Sequence, residues 1–182
     1  MSASILFVCT ANRVRSPLAA AVARSVVEAT ALPVSISSAG LLPAGFPADP
    51  DMAHVAARRG YDLSAHVSRQ VDAGLIERSD LVIAMTGRHV VDLVGMAPGA
   101  TRRILTLREA GTAATLSAPS AWDPISLRRW AETPTDRPLG ELLGGRHDTA
   151  DPMGRSMRRY RAAADEIEQL TSALFGQHPE RP

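Results

Sequence analysis

A chain of 182 residues is long enough to bury one sizeable core and too short for two. Its 20 basic and 19 acidic side chains leave a net charge of +1, which excludes bulk attraction to nucleic acid or an anionic membrane surface. One cysteine excludes an internal disulfide and fits a reducing compartment. The opening "MSASILFVC" lacks a basic n-region, so it does not read as a signal peptide, and no apolar run is long enough to insert in a membrane. The expectation is a cytoplasmic protein with one domain over 1–182, signal-less secretion and oligomeric state being left open.

In chain order, Ile5 to Val8 reads as a short buried strand, apolar without alternation. Pro17 stands where a helix begins, and "PLAAAVARSVVEA" carries it to about Ala29. Pro33 to Ser37 alternates as a second strand, followed by the proline-punctuated loop "SAGLLPAGFPADP". "DPDMAHVAARRG" predicts a helix that stops at Gly60. A third strand follows at Asp80 to Met85, a helix at Arg88 to Val94 and a fourth strand at Arg102 to Leu107. The signal weakens from Gly111 to Ala150, and a last helix runs through "GRSMRRYRAAADEIEQLTSALFG".

Short apolar strands alternating with helices predict an α/β fold, a four-stranded parallel sheet covered by helices on both faces. Ligands bind beyond the carboxyl ends of such strands, and Cys9 ends the first one. The loop Thr10 to Arg15 turns from strand to helix in six residues, so its N–H groups form a nest for an anion at a helix N-terminus. That setting, with Arg15 beside it, favours a thiolate at Cys9, and an arginine fork matches two oxygens of a phosphate. The bland alternative, a small buried hydrophobic cysteine, is weakened by the spacing Cys-x5-Arg-Ser between strand and helix.

"VCTANRVRSP" resembles the signature of the low-molecular-weight protein tyrosine phosphatases of bacterial type: C-x5-R-S with an internal asparagine and a trailing proline. "SSAG", "HVSRQ" at His66 to Gln70, "SDLVIAM" at Ser79 to Met85 and "DPMGRSMRRYRAAADEIEQL" follow in the family's order, leaving about 111–150 unmatched. The resemblance implies hydrolysis of phosphomonoesters, above all protein phosphotyrosine, through a phosphocysteine on Cys9. It implies that Thr10, Ala11, Asn12, Arg13, Val14, Arg15 and Ser16 hold the phosphate, with Arg15 clamping its oxygens. Asp151 would be the general acid and base, and Asn12, Ser16, Ser38 and His66 the support of the loop. The partner is a phosphorylated protein, and neither a metal nor an organic cofactor is implied.

The sequence also departs from that pattern. Many members have a second, protective cysteine where Val14 stands, and Arg13 on the rim is uncommon. It is either an attractor of acidic substrates or a solvated side chain. Met153 replaces the aromatic residue that follows the Asp-Pro pair, so Leu41, Leu42 and Phe46 are candidates with Met153 for the apolar substrate wall. Asp123 in "AWDPI" is a weaker rival for the acid, and Asp148 reads as a solvated loop residue. "WDPISLRRW" is either part of a lid or docking surface, or a short helix whose tryptophans cover the core. Two other functions compete: arsenate reduction coupled to a small thiol, and a non-catalytic phosphate-binding module. Pro17 after Arg-Ser and the presence of Asp151 favour the hydrolase.

Overall fold

The computed structural model describes residues 2–132 and 138–176. Four parallel strands, β1 (Ala3–Cys9), β2 (Val34–Gly40), β3 (Leu81–Ala84) and β4 (Ile104–Thr106), stand in the order β2-β1-β3-β4. Side chains alternate across the sheet, and here both faces are apolar. Ile5, Phe7, Leu81, Ile83 and Leu105 point into one core cluster, while Leu6, Val8, Val82, Ala84 and Ile104 point into the other. This two-sided burial explains why the strands show no polar alternation in the sequence.

The first face is covered by α1 (Arg15–Thr30), α2 (Pro50–Ala57), α5 (Leu107–Leu116), α6 (Pro124–Ala131) and α8 (Met157–Leu174). The opposite face carries α3 (Ala73–Arg78), α4 (Gly87–Met96) and α7 (Leu139–Leu143). The connections after β1 and β3 therefore leave the sheet on opposite sides. That opens a crevice at the carboxyl ends of these two neighbours, where open α/β sheets take their ligands.

Several boundaries differ from expectation for local reasons. Strand β2 runs on to Gly40, because Ser38, Ala39 and Gly40 pair with Phe7, Val8 and Cys9. The fourth strand is only Ile104–Thr106: a 3-10 turn occupies Pro98–Arg103, and a capping box between Thr106 and Glu109 starts α5 at Leu107. Helix α3, only six residues long, is too short to show a helical period, although the Asp72 side chain caps it at Leu75 N. The weak region holds most of α5, then α6 and α7, with 133–137 outside the described residues. "WDPISLRRW" forms α6, with Trp122 and Trp130 packed on the first cluster and Trp122 stacked on Phe175 at 4.8 Å. The last helix starts at Met157, after a left-handed Gly154.

Candidate active site

Cys9 is the last residue of β1, and its thiol lies within the loop that follows, 3% exposed. Two donors reach its sulfur: Asn12 N–H at 3.2 Å and the Ser16 hydroxyl at 3.1 Å. Both would stabilise negative charge on sulfur. Val14, the N-cap residue of α1, supplies no side-chain cap, so the first N–H donors of the helix are left to the loop.

Asn12 organises this loop. Its backbone is left-handed at φ 52°, a conformation that asparagine adopts more readily than most residues. Its side-chain amide donates to Ser16 Oγ and Ser38 Oγ, both at 2.9 Å, and its carbonyl Oδ1 accepts from Arg69 N–H at 2.9 Å. The backbone carbonyl of Asn12 accepts from His66 Nε2 at 2.6 Å, which places a proton on that nitrogen. The four residues expected to support the loop are thus brought together. Arg69 contributes only a backbone group, which leaves no residue-type signal in the sequence.

Gly40 is a further contributor that residue chemistry alone does not reveal. A Cβ there would come within 2.6 Å of Asn12 N and 2.8 Å of Thr10 O. No other residue lets β2 approach the loop so closely.

Arg15, 3% exposed, enters from the first turn of α1 and is held on three sides. Its Nη1 donates to Thr149 O at 3.0 Å, while Nη2 donates to Thr10 Oγ1 at 3.3 Å and to Asp151 Oδ2 at 2.5 Å. Its Nε is buried without a hydrogen-bond partner among the described residues, an unused donor beside the thiol loop. Asp151 is 43% exposed at its side chain and accepts Met153 N–H through Oδ1 at 3.1 Å. Asp123 sits elsewhere, as the N-cap of α6 next to Trp122. Hydrogen bonds from Ser126 and Ile125 hold its carboxyl below the usual range, so its Oδ1 is spent as an acceptor on the helix. Asp148 is not a solvated loop residue: its Oδ1 accepts Gly87 N–H at 2.8 Å, at the start of α4.

His89 was not singled out by the sequence. Carried on α4 and 6% exposed, it places Nε2 at 3.0 Å from Thr10 Oγ1. Burial, and then the nearby Arg15 charge, push its pKa down to about 4. It is a neutral imidazole that completes the chain from α4 through Thr10 to Arg15.

Around the mouth, Leu42 and Phe46 are about half exposed and Met153 is 39% exposed. Leu41, by contrast, packs against the second core cluster. Arg13 lies over the Phe46 ring at 5.7 Å and donates to Pro47 O. Among the described residues, no three His, Cys, Asp or Glu side chains gather as metal ligands, and no helix is long and apolar enough to cross a membrane.

Residues 4–129 match the family described as low molecular weight phosphotyrosine protein phosphatase. The chain belongs to that family. Similar proteins include a probable low molecular weight protein-tyrosine-phosphatase of Ralstonia solanacearum, 38% identical over 60% of this chain and 73% of that one. A protein-arginine-phosphatase of Bacillus subtilis is 30% identical over 95% of both chains. Among solved structures, a YwlE mutant from Bacillus subtilis superposes with a TM-score of 0.73 and 29% identity, covering 95% of this chain and 96% of that one. A low molecular weight protein tyrosine phosphatase from T. tengcongensis also reaches 0.73, at 26% identity and 96% and 99% coverage. The family match contains the thiol loop, Gly40, His66 and His89 but stops short of Asp151. Asp151 joins the site through its hydrogen bond from Arg15 and is oriented by that from Met153 N–H.

Proposed function

We propose that the protein removes phosphate from phosphotyrosine in proteins, in the cytoplasm, with Cys9 as nucleophile and Asp151 as acid and base. The observation that supports this reading most is that one strand-to-helix loop both aims the Asn12 and Ser16 donors at the Cys9 thiol and carries Arg15, whose guanidinium holds Asp151. In this mechanism Arg15 turns Nε and Nη2 to two phosphoryl oxygens while Nη1 stays anchored on Thr149. The dianion competes for Nη2 and frees Asp151 from its ion pair. With the thiol proton lost and Asp151, released from Arg15, carrying a proton taken from solvent, Cys9 Sγ forms a bond to phosphorus as the bond to the leaving oxygen breaks, and Asp151 gives that oxygen its proton. Water then attacks phosphorus and loses a proton to Asp151, and the thiolate departs onto the donors from Asn12 and Ser16. The apolar wall for the ring is Leu42, Phe46 and Met153, with Leu41 behind it.

A second reading, hydrolysis of phosphoarginine, is favoured by the full-length match to the Bacillus arginine phosphatase and by Met153 in place of an aromatic residue. Phosphate release from paired phosphotyrosine and phosphoarginine peptides separates the two. Cys9→Ser is expected to abolish release, and Asp151→Ala to lower it by roughly 10²- to 10⁴-fold. Full activity of Asp151→Ala on the peptides would remove it as the acid, and no release by folded wild type would sink both readings.

A further inference from the structure

Behind Asp151 lies a groove of about 550 Å³ that the mechanism above does not use. It is lined by Ala162 and Ala163 of α8, by Arg155 and Arg159, by Asp151, and by Glu166, whose carboxylate is held by Arg108. Asp151 lines this groove and pairs through Oδ2 with Arg15, so the groove adjoins the phosphate site through one side chain.

Arg155 and Arg159 are exposed, and their guanidinium groups make no ion pair or side-chain hydrogen bond among the described residues. The nearest acids along α8 are committed: Glu166 to Arg108 at 2.6 Å, Asp165 and Glu168 to Arg59. Helix stability does not account for the cations. Arg158 and Arg159 occupy the first turn of α8, the end at which positive charge is disfavoured, and no acidic residue offsets them there. The loop carrying Arg155 is held in place, with Pro152 buried and Gly154 N–H donating to Tyr160 OH at 3.3 Å.

We infer that Arg155 and Arg159 form an anion subsite for the substrate chain, so that the preferred substrates are protein segments with Asp or Glu flanking the phosphorylated residue. The inference rests on the phosphatase reading above. A local rule broken without structural gain is characteristic of a functional surface. Two partly solvated ion pairs beside a shared anchor shift specificity by a modest factor.

The test compares kcat/KM on two phosphotyrosine peptides of equal length, one flanked by glutamates and one by glutamines, with para-nitrophenyl phosphate as a substrate that has no flank. Wild type is expected to prefer the glutamate peptide roughly fivefold at low salt. Arg155→Gln/Arg159→Gln should lose the preference and Arg155→Glu/Arg159→Glu should invert it, with turnover of para-nitrophenyl phosphate unchanged in both. Equal use of the peptides by wild type, or a preference that survives in the glutamine variant, would overturn the subsite. Absence of all turnover by wild type would instead overturn the phosphatase reading.

Discussion

His89 shows how one side chain far along the chain conditions the chemistry of the loop. It is neutral, buried and bonded to Thr10, which in turn accepts from Arg15. Its folded pKa of about 4 lies below the ordinary value of 6.5. The unfolded chain therefore binds the proton more readily, and the stability tied to neutral His89 is present above pH 6.5 and lost as pH falls through 4. That loss is worth roughly 3 kcal/mol at most. Urea unfolding of wild type and His89→Gln at pH 7 and pH 4.5 checks it. The stability gap between the two should narrow or reverse at the lower pH, and a gap independent of pH would contradict the assignment. Because Gln can still bond Thr10, phosphatase activity at pH 7 is expected to fall less in His89→Gln than in His89→Leu.

At the scale of elements, α7 and the turn after it act as a strap that delivers Asp151, the proposed acid. Gly87 at the start of α4 lets α7 close in: a Cβ there would lie 1.8 Å from Leu142 O. Asp148 then bonds Gly87 N–H, and Thr149 N–H bonds Met85 O at 2.8 Å, directly after β3. Three residues later in the chain than Asp148, Asp151 meets Arg15, while Thr149 O anchors the other guanidinium nitrogen. Asp148→Ala removes a charge-assisted bond and leaves Gly87 N–H short of a partner, at a cost of about 1–3 kcal/mol. The expected result is a lower melting temperature together with a fall in kcat on peptide substrate, since both Thr149 and Asp151 depend on the strap. A drop in stability with kcat unchanged would show that the strap does not position the acid. None of these contacts has a sequence signature: aspartate and threonine in a region rich in turns read as loop, and their partners lie more than fifty residues away.

The whole molecule carries one thiol, at the proposed nucleophile position, and its loop holds no second cysteine, Val14 standing beside Arg15. An oxidised Cys9 has no internal partner and advances toward irreversible acids unless a small thiol intercepts it. Hydrogen peroxide is therefore expected to inactivate the protein in a form that dithiothreitol does not restore, whereas peroxide with excess glutathione should give a mixed disulfide and full recovery. Intact mass of the treated protein distinguishes the two. Full recovery after peroxide alone would refute the argument.

The sequence by itself determined the parallel sheet, because its strands are apolar on both faces, and it determined the thiol loop, because Cys9, Asn12, Arg15 and Ser16 act within one strand-to-helix turn. Local order suffices where all partners lie within eight residues. Only the tertiary structure decided which Asp-Pro pair faces Arg15, that Leu41 turns inward while Leu42 stays at the surface, and that His89 and Gly40 belong to the site. Those choices depend on register between strands and on packing across the crevice. Such contacts join residues far apart in the chain, and no local pattern of residue types encodes them.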